Sequence, residues 1–504
     1  MNEVRQKKSL HPIWFYIILT IMTIILSAIF SLFKLQGTEY SVSTNLRTIS
    51  TVLTVDSLFT RTGFRFIISE GINNLLDYFP LGSIIIGLIG IGFAIKTDLL
   101  KTLVEKITKF VPRKVAFFLF SLLCIIMGFS TDLAFVIMIP ASVVLFTEYK
   151  RSQLVGMTFA FVSIAAGSNI NLFITSLDYS LIEIAKPAVR LIDSEYTYVY
   201  NGNLYFIVVV SLLLAVLLTI ITEIIARNKP VRISEEEEKF DEKTKNIALK
   251  KSFKVLLVLI IIFTYSIIPN LPFSGILLDD NQALYVNKLF GANSPFVNGI
   301  LVIVSLSLII CSTVFAFSTK QIKNDKDIIK LFVGSLNGIG DMLALIFFSS
   351  QFIALFKYTN IGNVFTSLLY NFLKNGQFSF GILIVFAFFT ILISNVFLTS
   401  VASKWSSFVP GVMPLFLKSN ITPEFTSAIF RLSSSASNII TPLFPYFAIY
   451  LGYVGLYSKN NYNIKNCYNL LMPYFISVTI LYLFIIFGWY ILNIPIGPGI
   501  FPTI

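Results

Sequence analysis

The chain has 504 residues, 56% of them hydrophobic and only 13% charged, with a mean hydropathy of +0.81. A soluble protein carries roughly a quarter of its residues charged to cover its surface, so composition excludes an ordinary globular fold and places the chain in the membrane. The net charge of +12 does not call for nucleic acid, because Lys and Arg sit mainly in short loops between apolar runs, where they mark the cytoplasmic side.

Three cysteines without a CxxC pair, and His11 as the single histidine, leave no His/Cys metal set, no Ser-His-Asp triad and no haem ligation. No cofactor is expected. The first apolar run, Ile13 to Phe33, is too long for a signal-peptide core and lacks a small-residue cleavage site, so it reads as a retained span. About twenty apolar residues cross a hydrocarbon core of about 30 Å. Such runs lie at 13–34, 79–95, 155–177, 204–226, 253–272, 297–318, 330–356, 424–455 and 469–494. Two stretches, 115–148 and 378–417, are nearly twice too long for one span, and each is interrupted near its middle.

Charge orients these runs. Arg5, Lys7 and Lys8 put the N-terminus inside. Lys96 to Lys114 precede the first long stretch and Lys150-Arg151 follow it, so both of its ends face inside. That stretch is expected to be a re-entrant hairpin turning at Gly128 to Asp132. The segment 228–252, with Glu235 to Glu238 in a row, reads as a solvated cytoplasmic linker. Counting onward, 378–417 starts and ends outside, with its turn around Ser394-Asn395, and the C-terminus lies outside.

The expectation is an all-α polytopic fold of nine spans and two opposed hairpins. Residues 1–227 form one repeat, 228–252 the linker, 253–272 a connecting span and 273–504 a second repeat inverted by that odd span. Inverted repeats with discontinuous helices are the architecture of secondary transporters. An intramembrane enzyme is disfavoured, since no metal set or paired catalytic carboxylates appear. A channel would need a continuous polar stripe in place of two hairpins.

Broken backbone at membrane depth is tolerated where it lines protein or a wet cavity. The breaks are Ser130 to Asp132, Gly167 to Asn171, Ser394 to Ser403 and Ser433 to Asn438. Asn169 and Asn438 stand 269 residues apart, and Asp132 and Ser400 stand 268 apart. Freed N–H groups hold anions, and Asn or Ser oxygens and carbonyls hold a small cation. Ionisable residues within apolar runs are Asp132, Asp178, Asp341, Lys404 and Arg431.

The run Asn395 to Trp405, then Pro423-Glu424, and Arg431-Leu432-Ser433-Ser434-Ser435-Ala436-Ser437-Asn438-Ile439-Ile440-Thr441-Pro442-Leu443-Phe444-Pro445-Tyr446-Phe447 resemble signatures of the p-aminobenzoyl-glutamate transporter (AbgT) family. Pro80-Leu81-Gly82, Ser130 to Pro140, Asn171 to Asp178 and Gln351 to Gly362 extend the resemblance over most of the chain. The resemblance implies a homodimeric transporter in the inner membrane, with nine spans and two opposed hairpins per protomer. Its family imports p-aminobenzoyl-glutamate, and some members export sulfonamides. Related aromatic or dicarboxylate anions are the alternative substrates.

By residue match the resemblance places site residues at Asp178, Asn395, Trp405, Pro423, Arg431 and Pro442. The sequence departs from the family at Ser434, where a carboxylate is expected, at Ser433, at Ala402 beside Ser403, and at Ile95. In the resulting reading, Arg431 binds a substrate carboxylate through its planar fork, Trp405 stacks on an aromatic ring, and Ser400, Ser403, Ser434, Pro423 and Pro442 complete the substrate site. Asp178, Asn171, Asn395 and Asn438, with Asp132, supply oxygens for the coupling ion, Na⁺ or H⁺.

Overall fold

With no water in the hydrocarbon core to pair N–H and C=O groups, an apolar chain of this kind must satisfy its backbone within helices. A computed structural model describes residues 10–42, 48–227, 240–291, 293–376, 380–398, 400–458 and 463–504. The first half runs α1 (Pro12–Leu32), the antiparallel strands β1 (Gln36–Val42) and β2 (Thr48–Thr54), α2 (Arg61–Ser69), α3 (Gly71–Leu76), α4 (Leu81–Lys96), α5 (Leu99–Phe110), α6 (Arg113–Met127), α7 (Thr131–Leu133), a π-helical turn (Ala134–Met138), α8 (Ile139–Glu148), α9 (Gln153–Gly167), α10 (Ser176–Arg190) and α11 (Leu204–Arg227). The second half runs α12 (Glu242–Ile267), α13 (Tyr285–Phe290), α14 (Pro295–Ser318), α15 (Asp325–Ser335), α16 (Ile339–Tyr358), α17 (Ile361–Asn375), α18 (Phe380–Phe397), α19 (Val401–Lys418), α20 (Pro423–Ser437), α21 (Pro445–Tyr457) and α22 (Ile464–Leu492).

Among the described residues, six helices are long and apolar enough to cross a membrane, or seven if α4 and α5, bent by 65°, count as one span. The runs at 155–177 and 424–455 fall short by this measure because α9 and α20 each stop after fifteen residues. Arg5, Lys7, Lys8, Lys229, Arg232 and Glu235 to Glu238 lie outside the described residues. Residues 242–252 of the charged segment are not a separate linker. They are the first turns of α12, capped by the Asp241 carboxylate, which accepts from Thr244 N–H.

Segments that charge assigns to the same side are tied together. At one end Lys245 pairs with Glu105 at 3.1 Å, Lys109 with Glu242, and Arg113 Nε with Glu223 at 2.7 Å, while Gln321 Nε2 donates to the Thr97 carbonyl. At the other end the Thr422 and Phe206 N–H groups donate to the Pro502 and Ile496 carbonyls of the C-terminal segment, both at 3.0 Å. The arms α6 and α8 fold back on each other. Phe117 stacks on Phe146 with ring centres 4.4 Å apart, and the Tyr149 hydroxyl donates to the Val111 carbonyl at 2.7 Å. Between α4 and α14 the chains approach closely, since a Cβ on Gly90 would stand 2.7 Å from Ser305 Cα. Small residues permit such contact in membrane bundles.

Two breaks are narrower than the sequence suggests. Ser394 and Asn395 lie inside α18, which continues to Phe397; the Ser394 hydroxyl donates to the Thr390 carbonyl and leaves the helix intact. The turn comes before Ser400, whose side chain caps α19. Likewise Ser433 to Ser437 are helical. The hydroxyls of Ser433 and Ser437 donate to carbonyls four and three residues back, so α20 ends only at Asn438.

Candidate functional site at the crossing of two broken helices

Helix α9 stops at Gly167, and α10 restarts at Ser176 with a reciprocal cap in which Asp178 and Thr175 bond to each other's backbone. Helix α20 stops at Ser437, and α21 restarts at Pro445 after Pro442; neither proline can donate an N–H to extend a helix. The two broken ends meet. Asn169 Nδ2 donates to Ser434 Oγ at 2.5 Å, and Asn438 Nδ2 to Ser168 Oγ at 3.0 Å.

A cavity of about 580 Å³ opens at this crossing. Its wall combines both breaks with Gly128, Phe129 and Thr131 between α6 and α7, with Ser400 and Val401 at the start of α19, and with Phe79, Phe444 and Tyr446. Arg431 and Asp178, only 2% and 5% exposed, both reach it. Arg431 Nη2 donates to Asp178 Oδ1 at 2.6 Å, while Asp178 Oδ2 accepts from the Thr175 N–H at 2.7 Å and the Thr175 hydroxyl at 3.0 Å. The two charges thus neutralise each other where isolated charges would be costly. Among the described residues, Arg431 Nε has no partner.

Of the residues singled out from sequence, Asn171, Asp178, Ser400, Arg431 and Asn438 line this cavity. Asp132 stands behind it, accepting from the hydroxyls of Ser83 and Tyr446. Ser434 is fully buried beneath it and joins the two breaks through Asn169.

Others lie elsewhere. Trp405 does not face the cavity: it is 0% exposed, packs on Phe430 and Phe408 with ring centres 4.7 and 5.7 Å away, and donates its indole N–H to the Leu181 carbonyl at 2.7 Å. It is therefore a core residue in this conformation. Pro423 is the first residue of α20 and Pro442 sits in the link to α21, neither lining the cavity. Ser403 lines a separate cavity of about 330 Å³, shared with Ser400, Glu39 and Lys357. Asn395 is buried in α18 with neither side-chain polar atom bonded. Lys404 is buried on α19, and Asp341 is exposed in the first turn of α16.

Of the proposed cation set, Asn171, Asp178 and Asn438 share the cavity wall. Asp178 is committed to Arg431 and Thr175, and Asn395 is absent from the cavity wall. The aromatic wall of Phe129, Phe444 and Tyr446 was not legible, because nothing distinguishes three aromatic residues among 50 Phe and 22 Tyr. The signal available was position: Phe129 lies in a predicted turn, and Phe444 and Tyr446 flank Pro445.

A model of the AbgT putative transporter family matches residues 3–504. The chain is 25% identical over 502 residues to the p-aminobenzoyl-glutamate transport protein of Escherichia coli K12, covering 98% of this chain and 94% of that one. Its fold is similar to that of the Alcanivorax borkumensis YdaH transporter, described as having an unusual topology, with a TM-score of 0.50 and 23% identity over 97% of this chain and 100% of that one. It is also similar to Neisseria gonorrhoeae MtrF, described among antimetabolite efflux pumps, with a TM-score of 0.49 and 23% identity over 98% of both chains.

Proposed function

The chain belongs to the AbgT transporter family, and from that premise we propose that it is a cation-coupled secondary transporter of p-aminobenzoyl-glutamate or a related aromatic or dicarboxylate anion. The carrying observation is Arg431, a buried guanidinium in the wall of a cavity formed where two broken helices cross. Its planar fork suits a carboxylate, and the aromatic wall of Phe129, Phe444 and Tyr446 suits an aminobenzoyl ring. A substrate carboxylate would exchange with Asp178 as the partner of Arg431. Phe129, Phe444 and Tyr446 take over the stacking role that the sequence assigned to Trp405.

The architecture proposed with this function is nine spans and two opposed hairpins in the inner membrane, N-terminus cytoplasmic and C-terminus outside, assembled as a homodimer. Two observations favour an inverted repeat of 1–227 and 273–504. Helices α9 and α20 are both fifteen residues long and begin 270 residues apart. Packing is reciprocal as well: α1 lies on α16, and α14 on α4. The first long apolar helix of each half thus packs on the second apolar run of the other.

The test is counterflow in proteoliposomes loaded with p-aminobenzoyl-glutamate or a dicarboxylate. Saturable exchange that is competed by excess unlabelled solute is the expected result. Absence of exchange for every aromatic and dicarboxylate anion tried would overturn the reading.

A further inference from the structure

A second, small cavity of about 10 Å³, room for about one water, shares Asp178 and Arg431 with the large one. Its lining includes Asp178, Tyr198, Asn203, Glu424 and Arg431. Three buried polar atoms of these residues have no partner among the described residues: the Tyr198 hydroxyl, Asn203 Oδ1 and Arg431 Nε. Glu424 is 2% exposed, in the first turn of α20. Its Oε2 accepts from the Tyr196 hydroxyl at 2.6 Å, and its Oε1 lies 3.4 Å from the Val199 N–H. Among the described residues, no Lys or Arg forms an ion pair with it.

We propose that Glu424 is the proton-binding carboxylate of the transport cycle, linked to the Arg431–Asp178 pair through a water in the small cavity. The proposal rests on the transport reading above. The unpartnered set comprises one obligate donor, Arg431 Nε, one acceptor, Asn203 Oδ1, and one hydroxyl that can be either, Tyr198. A water can accept from the first and donate to the second and to Glu424. A metal cation cannot accept the guanidinium N–H, so the set favours water over Na⁺.

The groups facing Glu424 are few. Tyr196 and Tyr198 come from the α10–α11 connection, Asp178 from α10 and Arg431 from α20 itself; Asp193 acts on Tyr196 from the same connection. The neighbouring chain at Gly202 allows no side chain, since a Cβ there would meet Glu424 Cγ at 2.8 Å.

The charge count fixes the direction of coupling. With Glu424 ionised, Arg431 is the single positive charge against Asp178 and Glu424, and an entering substrate carboxylate makes a third negative charge. A proton taken from solution onto a Glu424 carboxylate oxygen removes one of them, and its release returns the proton to solution on the other side. Proton and anion therefore bind with positive coupling, which is the requirement for symport.

The experiment is proteoliposome uptake of radiolabelled p-aminobenzoyl-glutamate with and without an imposed pH gradient, alongside counterflow without any gradient. Wild type is expected to accumulate solute under a pH gradient. Glu424→Gln is expected to keep counterflow within about threefold while losing gradient-driven accumulation by about tenfold or more, with a flat pH profile, as for a removed protonation site. Tyr196→Phe leaves the carboxylate in place, so it is expected to remain coupled with its pH profile displaced; this serves if Glu424→Gln does not fold. Gradient-driven accumulation in a folded Glu424→Gln protein, or an unmoved profile in Tyr196→Phe, overturns the proposal. Wild-type uptake that is indifferent to the pH gradient while counterflow proceeds also overturns it, whereas absent counterflow overturns the transport reading itself.

Discussion

Arg431 and Trp405 come from one family resemblance, yet their surroundings give them different roles. Arg431 borders a cavity and already holds a carboxylate, Asp178. Arg431→Ala is expected to abolish uptake, and Arg431→Lys to retain a partial rate, since lysine keeps the charge but loses the planar fork. Uptake assays of both variants decide this, and normal transport by both would make the residue structural. Trp405 is fully buried, packs on Phe408 and Phe430, borders the small cavity beside Glu424, and donates its indole N–H to the Leu181 carbonyl. Trp405→Phe should therefore cost about 1 kcal/mol, the worth of one hydrogen bond, seen as a small drop in melting temperature. Its KM for substrate should stay within about twofold. A tenfold rise in KM with unchanged stability would place the ring against substrate in another state of the cycle.

At the scale of elements, the two arms α6 and α8 close into a hairpin through Phe117, Phe146, Val111 and Tyr149. Helices α18 and α19 both pack on α17 and α20. Single cysteines near Lys150 and Lys418, in a background lacking Cys124, Cys311 and Cys467, should label from opposite sides of the membrane. Labelling from the same side would remove the inverted repeat and the alternating-access argument with it. The serines of α20 mislead at this scale. A Ser-rich run signals a break only if its hydroxyls find partners other than the preceding helical turn, and those of Ser433 and Ser437 do not.

Across the whole molecule, the C-terminal segment acts as a strap over the end that charge assigns to the outside. Thr422 N–H donates to Pro502, the Thr422 hydroxyl to Phe501 at 2.8 Å, and Ile504 N–H to Asn420 at 3.0 Å. These bonds hold the start of α20, the helix that carries both Glu424 and Arg431. Removing residues after Asn493 should lower the melting temperature through the loss of a few hydrogen bonds, roughly 1 kcal/mol each. It should also slow transport. Unchanged stability on deletion would show that the strap is dispensable.

Much of this organisation follows from sequence alone, because hydrophobic runs and basic loops report the energy of placing groups in lipid or water, a property of each segment by itself. The apolar runs that become α1, α11, α14 and α22, the turn before α7 and the break after Gly167 are local in that sense. So is the singular status of Arg431, an arginine with no reason to lie in an apolar run unless it faces a cavity or a partner. What the sequence could not reveal is pairwise. Asp178 and Arg431 are 253 residues apart and find each other only when two broken helices cross. Trp405 is a substrate platform or a core residue depending on which helix packs over it. Glu424, an ordinary acidic residue in a helix's first turn, becomes a buried carboxylate beside Arg431 only because the α10–α11 connection folds across it. Burial and partnership depend on distant segments meeting, and the tertiary structure alone decides which segments meet.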